Sequence, residues 1–335
     1  MPPNRRKQDA GDHTMNDEPK SLGALLFELP AVKTAKKVNI ISRVHRRLIE
    51  PLETDQDNEP QLAFQHTVFC QTGLPYRNPG DDVRLWTRKQ GNTALEIQAG
   101  RLPDPATRGY ADIGLPWGAK PRLILAHLNA EALRQQSPVI EIESSLTAFV
   151  KRIRGFQHGR EIRGFKDQLG RLSASTVRLA LFRENNAHAV ETKVITAFDL
   201  WLHKDERQRV LWPSTIRLSL DYFQSLIEHA VPLHEADLAA LAHSALGIDL
   251  YSWLAQRLHR VNPNRAAFIS WAALKQQFGP DYARMRDFRR FFRQTLAQVQ
   301  ARYRAARIDV DECGIRLHNS PPPVTKRLVL LSRKS

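Results

Sequence analysis

Cysteine is nearly absent from this chain. Its two residues, Cys70 and Cys313, stand far apart, which leaves neither a disulfide framework nor a cysteine-based zinc site and suits a reducing cytosol. Long apolar runs are lacking too. The one near the start, Leu22 to Leu29, is short, broken by Glu28 and preceded by a polar, charged stretch, so neither a signal peptide nor a membrane span is expected. No G-x-x-x-x-G-K-[ST] loop occurs to cradle a nucleotide's phosphates, which argues against ATP-driven DNA melting by this chain alone. None of the 12 histidines lies two positions from another, so the His-x-His metal pair of a strand-nicking centre is missing. His229 and His234 are the nearest pair, and surface or helix-end positions account for them better than a metal site. Ser173 and Ser175 near His188 have neither a strained elbow nor a supporting acid, and ordinary capping explains them.

Acidic charge is also in deficit. The 335 residues carry 50 Lys and Arg against 35 Asp and Glu, for a formal net charge of +15 and a pI near 10.1. That balance calls for an anionic partner, and nucleic acid is the commonest. The length exceeds one typical core and predicts about two domains with appended structure.

The basic residues are not spread evenly. Between Ala283 and Arg307 there are eight Arg and a single acid, Asp287. In the same stretch Met285, Phe288, Phe292, Leu296, Val299 and Tyr303 recur at three- and four-residue spacing, one apolar stripe facing a core. Arg286, Arg290 and Arg293 fall together on another face, with Arg289 between that face and the stripe. Such a face repels itself unless something anionic covers it, and guanidinium forks suit phosphates and guanine edges. A solvated basic face is the plainer reading of the same pattern. Trp271 to Phe278, the Gly279-Pro280 break and this longer helix together read as a helix-turn-helix. On helix faces alone the candidate DNA contacts are Arg284, Arg286, Arg289, Arg290, Arg293, Arg304 and Lys275. Arg160, Arg163 and Lys166 join them from an earlier helix diluted by Glu161 and Asp167.

Residues 1–31 are expected to begin as a disordered tail. Residues 32–113 form an extension: first a basic helical stripe from Val32 to Leu48, then strand-like runs at Leu62 to Cys70, Val83 to Thr87 and Thr93 to Ala99. The last two runs bracket RKQGN, a hairpin signal. From Lys120 onward one unit appears twice. The first copy is helix Pro121 to Gln135, strand Val139 to Ile142, helix Ser145 to Arg154, helix Glu161 to Leu172, then a hairpin of Thr176 to Arg183 with Ala189 to Ala197. The second is helix Asp249 to Arg260, strand Phe268 and Ile269, helix Trp271 to Phe278, helix Ala283 to Arg304, then Arg307 to Val310 with Ile315 to His318. Three helices closed by a ribbon make a winged helix, a helix-turn-helix variant. The expected fold is therefore α+β, mainly helical, with tandem winged-helix domains at 114–219 and 220–324 behind a strand-containing extension, and a basic tail at 325–335. Between the copies, Trp212 to Ser219 reads as a strand and Leu220 to Glu228 as a helix that Pro232 stops. A helix from Glu235 to His243 is assigned to packing between the domains.

Several stretches are then specific enough to compare with a family. GLPWGAKPRLILAHLNAEAL at Gly114 to Leu133, SPVIEIESSLTAFVKRI at Ser137 to Ile153, LWPSTIRLSLDYF at Leu211 to Phe223, HAVPL at His229 to Leu233 and DLYSWLAQRLHR at Asp249 to Arg260 resemble the plasmid-encoded RepA replication initiators of bacteria. WAALKQQFG at Trp271 and HNSPPPV at His318 extend the likeness to Val324. The resemblance implies a cytoplasmic, DNA-associated initiator that binds repeated sites in double-stranded plasmid origin DNA, promotes opening, associates with itself and brings in host helicase or initiator proteins. It implies one winged helix for dimerisation and the other for most DNA contacts. The family's signature positions are apolar or turn residues, so no contact residue comes from it.

The expectation is a DNA-binding protein with no catalytic residue, metal, cofactor or membrane contact, and such binding is compatible with repression of its own promoter. A winged-helix transcriptional regulator is the alternative within DNA binding, and a primase-like replicative enzyme the alternative of another class. Asp309 and Asp311 could suggest paired carboxylates for two divalent ions, but beside Gly314 they read as a polar turn. Trp253, Phe268, Trp271, Phe278 and Phe288 could stack on unpaired bases, and their spacing makes buried core the default.

Overall fold

Pro116 and Gly118 end the irregular approach to a helix that is buried on nearly every side, and the rest of the molecule is arranged around it and one like it. The structure, a computed structural model, describes residues 61–104, 106–143, 145–154, 159–183, 186–197 and 215–324. The expected tail, the basic stripe from Val32 to Leu48 and the segment after 324 lie outside the described residues. The architecture is mixed α and β, mainly helical, with several small antiparallel sheets.

The extension opens with β1 (Leu62–His66), α1 (Thr67–Thr72), the hairpin β2 (Leu85–Gln90) and β3 (Thr93–Gln98), and a second hairpin β4 (Arg101–Asp104) and β5 (Gly109–Asp112). The strand expected to run to Cys70 turns helical at Thr67. There His66 Nδ1 accepts the Val68 N–H at 3.2 Å and the Thr72 hydroxyl donates to Val68 O at 2.7 Å. Local strand propensity in TVFC yields to this cap and to complete burial of Val68.

The first unit follows as α2 (Ala119–Gln135), β6 (Val139–Glu141), α3 (Leu146–Arg154), α4 (Gly159–Ala174), β7 (Thr176–Arg183), β8 (Asn186–Thr192), β9 (Ile195–Ala197) and β10 (Thr215–Leu218). After α5 (Leu220–His229), β11 (Ala230–His234) and α6 (Glu235–Leu241) comes the second unit. It comprises α7 (Ala245–Arg257) with a 3₁₀ turn at Leu258–Arg260, β12 (Ala267–Ser270), α8 (Trp271–Phe278), α9 (Met285–Arg302), β13 (Ile308–Val310) and β14 (Gly314–Leu317).

Strand order exposes the internal likeness. In the second unit the sheet runs β12-β14-β13, and in the first it runs β6-β10-β9, all antiparallel. In both, a strand between the first and second helices pairs with the last strand, and that last strand pairs with the one before it. Serine caps the second helix each time: Ser145 Oγ accepts the Ala148 N–H at 3.1 Å and Ser270 Oγ the Ala273 N–H at 3.3 Å.

The β7–β8 hairpin has a different place from the one its sequence suggests. It joins β2 and β3 in a four-stranded sheet ordered β2-β3-β7-β8, and the closing strands of the first unit are β9 and β10. The pairing of β3 with β7 spans residues far apart in the chain, which no local pattern announces. Pro232 likewise lies inside a strand, opposite Phe64 in the β1–β11 ribbon. A two-stranded ribbon tolerates a residue without an N–H.

Two helices are buried from end to end, α2 from Pro121 to Leu133 and α7 from Leu246 to Gln256, and they pack against one another. Between them sits a buried ion pair. Arg122 Nε and Nη2 donate to the Asp249 carboxylate at 2.6 and 2.8 Å, and the remaining donors reach Leu74 O at 2.7 Å, Gly118 O at 2.6 Å and Pro75 O at 3.3 Å. Burial works against the guanidinium's charge, but Asp249 outweighs it and holds the side chain protonated. The α6 helix also bridges the units, with Glu235 paired to Arg152 of α3 and Asp237 to Arg302 of α9 at 2.6 Å.

Candidate nucleic-acid interface

Trp271, fully buried at the first position of α8, is the keystone of this site. Its indole N–H donates to Asp311 O at 3.1 Å and its backbone N–H to Cys313 O at 3.1 Å, tying α8 to the β13–β14 connection. The rings of Phe288 and Phe292 from α9 meet it edge-on, with centroids 6.4 and 5.7 Å away. Apolar spacing thus fixes which side of α9 is inward: Phe288, Phe292, Leu296 and Val299 are buried together with Thr295. The turn before α9 is close-packed. A Cβ on Gly279 would lie 2.3 Å from a ring carbon of Phe288.

Away from that core, Arg286 and Arg290 are exposed on α9, and Arg284 is exposed at its N-cap. No carboxylate pairs with any of the three among the described residues. Arg293 is exposed but engaged: its Nη2 donates to Asp311 O at 3.0 Å and approaches Glu312 at 3.3 Å, and its fork lies 5.2 Å from the Trp271 ring centre. Arg289 is half-buried, 5.7 Å from the same ring, with its Nε shut from solvent and lacking an acceptor among the described residues. Lys275 is half-buried on α8, and Arg304 is exposed just beyond α9. The ten candidates therefore do not form one face. Arg284, Arg286 and Arg290 present open donors, while Arg289 and Arg293 brace Trp271.

On α4, Arg160 and Arg163 are exposed and Lys166 is half-buried, outside a core edge of Phe165, Leu169 and Leu172. Neighbouring charges are compensated there, with Glu161 3.5 Å from Lys120 and Asp167 3.0 Å from Arg171. Of the five aromatics considered for base stacking, Trp253, Trp271, Phe278 and Phe288 are buried. Phe268 alone is half exposed, with Arg316 5.6 Å from its ring centre.

The carboxylates that could suggest metal chemistry are engaged. Asp309 takes the His318 ring N–H at 2.7 Å, and Asp311 accepts the N–H groups of Cys313 and Gly314 at 2.7 and 2.9 Å besides pairing with Arg316. Those backbone donors, with Arg316, hold the Asp311 carboxyl below its ordinary value. His229 and His234 each hydrogen-bond a backbone carbonyl, of Ser225 and Pro323. The Ser173 and Ser175 hydroxyls donate to Gly170 O and Arg171 O, and the His188 side chain lies outside the described residues. No group of three metal-ligating side chains gathers among the described residues, and no helix among them is long and apolar enough to cross a membrane.

Residues 115–273 match the model of the family described as plasmid encoded RepA protein. Over this stretch the chain is similar to the RepA family. The matched region takes in the first unit, the buried α2–α7 pair and the second unit as far as Ala273, and it stops before α9 with its arginines. Two solved structures of RctB domains 2 and 3 align with TM-scores of 0.44 and 0.42 at 10% and 11% identity, over 72% of this chain and 86% and 83% of theirs. No curated protein matches the chain.

Sequence reasoning misses Arg122, Asp249 and Asp237. One signal is available: Arg122 and Asp249 are lone charges in helices otherwise apolar on most sides, PRLILAHL and GIDLYSWL, where an unpaired charge would be too costly to keep.

Proposed function

We propose that this RepA-family chain is a plasmid replication initiator that works by binding, without enzymatic activity, and that it grips repeated sites in its origin through two winged-helix units. The observation that carries this reading is the open pair Arg286 and Arg290 on α9, with Arg284 exposed at its N-cap, in a unit held by Trp271 whose helix and strand order suits a winged helix. There α9 is the recognition helix. It lies in the major groove, its arginines meeting guanine edges or phosphates. The first unit, with its compensated α4 charges, contributes self-association or a weaker, sequence-tolerant contact. Opening of the duplex and recruitment of host replication proteins follow from the bound state, and the same binding gives a route to repression of its own promoter.

A cloning test decides. The gene with its native flanking DNA is placed on a fragment lacking any other origin, and replication of that fragment in a host is scored. We expect replication that disappears in an Arg286→Ala/Arg290→Ala variant of unchanged thermal stability. Binding to the flanking DNA without support of replication would instead assign the chain as a transcriptional regulator.

A further inference from the structure

The β13–β14 ribbon is acidic at the tip that meets the arginine-rich helix. Between Ile308 and Leu317 three acids, Asp309, Asp311 and Glu312, stand against one cation, Arg316. Two of the three are occupied within the ribbon: Asp309 takes the His318 ring N–H, and Asp311 pairs with Arg316. Glu312 reaches across to α9 instead. Its carboxylate lies 3.3 Å from Arg293 Nη2 and its side chain is 86% exposed.

This tip is held in place. The Asp311 N–H donates to Gly314 O at 3.0 Å and the Asp311 carboxylate accepts the Cys313 and Gly314 N–H groups, closing the two-residue loop Glu312-Cys313. Gly314 permits the close approach behind it, since a Cβ there would lie 2.1 Å from Ile269 O. Trp271 donates to the Asp311 and Cys313 carbonyls from the other side. On α9, Arg286, Arg290 and Arg293 follow at four- and three-residue spacing and so share one face. Glu312, in touch with the last of them, stands at the rim of that face.

We propose that Glu312 is a specificity-determining residue for DNA binding: it keeps Arg293 from the duplex phosphates and sets a fixed negative charge beside them, so that DNA is held through Arg286 and Arg290 and not by charge alone. The inference rests on the reading of α9 as the recognition helix. Phosphate contacts carry no sequence information. Each added one strengthens binding to every sequence, most of all where the helix can slide to whichever register gives the most charge contacts. Discrimination is a difference of affinities, so a charge that penalises wrong registers raises it as a better base contact would. Stability hardly changes, because Arg293 keeps the Asp311 carbonyl and the Trp271 ring without Glu312 and an exposed pair of this kind contributes little.

The full-length protein is titrated with a duplex of the plasmid's flanking DNA and with a scrambled duplex at several salt concentrations, comparing the wild type with Glu312→Gln. Melting temperatures should agree. We expect the variant to bind the scrambled duplex severalfold tighter, with the slope of log affinity against log salt steeper by about 0.9 as Arg293 takes up one phosphate, and to gain less on the flanking duplex, so that its preference falls. Arg293→Ala/Glu312→Gln, measured below its melting transition, should give the gain back. Unchanged binding to the scrambled duplex overturns this inference alone, as does an equal gain on both duplexes or a gain that persists without Arg293. A wild type that prefers no part of the flanking DNA overturns the reading of α9 and this inference together.

Discussion

At the scale of single residues, arginines that look equivalent in sequence divide by what they touch. Arg290 is open to solvent while Arg293 braces Trp271 and the β13–β14 connection. Arg290→Ala should therefore weaken specific origin binding by about 1–3 kcal/mol if it reads a guanine edge, or lower the salt slope by about 0.9 if it meets phosphate, with melting unchanged. Arg293→Ala should lower the melting temperature measurably more than Arg290→Ala does. Equal melting curves would show that the bracing contributes nothing. Asp311 makes a pH prediction. Its carboxyl is held below the ordinary 3.8, so its contribution is complete above that value and is lost as pH falls through the lowered one. The Cys313 and Gly314 amide resonances should titrate with a midpoint under 3.8, and a midpoint at or above it would contradict the hydrogen bonds described.

Elements are legible where a period and a cap agree. The stripe of Phe288, Phe292, Leu296 and Val299 with the Ser270 cap places α8 and α9 to within a residue or two, because one buried face dictates a helix's orientation. Thr67 to Cys70 reads as strand and folds as helix, because capping by His66 and burial, both tertiary events, override weak β preference. The cap on α8 should be worth roughly 1 kcal/mol, lost in Ser270→Ala on denaturant unfolding. Gly279→Ala tests how tightly the two helices are set. Its Cβ would strike Phe288, a ring with no room to retreat. Overpacking of about 1–3 kcal/mol is expected, together with loss of sequence preference as α9 tilts. A variant with native stability and binding would mean that the turn adapts freely.

For the whole molecule, the decisive contact is the buried Arg122–Asp249 pair between α2 and α7. Removing one partner strands a buried charge, so Arg122→Ala should cost about 3–5 kcal/mol. Arg122→Met/Asp249→Leu should recover most of that deficit, falling short of wild type because Leu74 and Gly118 carbonyls lose a donor. If the double variant is as unstable as the single one, the charge pair is not the cause. The same pair makes cutting the chain between units a poor way to assign their roles, since each half would expose a partnerless charge and an apolar helix. Point variants on α4 and α9 within the intact chain separate the roles cleanly.

The sequence by itself determined most of the helices, the Ser270 cap, the basic character and the resemblance to the RepA initiators, because periodicity, serine caps and net charge are written locally or in sums over the chain. It also marked α9 as the arginine-rich helix. Only the tertiary structure decided which arginines are open and which brace Trp271, that β7 and β8 join the extension's hairpin, and that Arg122 meets Asp249. The physical reason is common to all three. Each depends on residues far apart in sequence coming together, and a side chain's free energy depends on what surrounds it: the same guanidinium is a donor to solvent at Arg290, a lid on an indole at Arg293 and a buried counter-ion at Arg122.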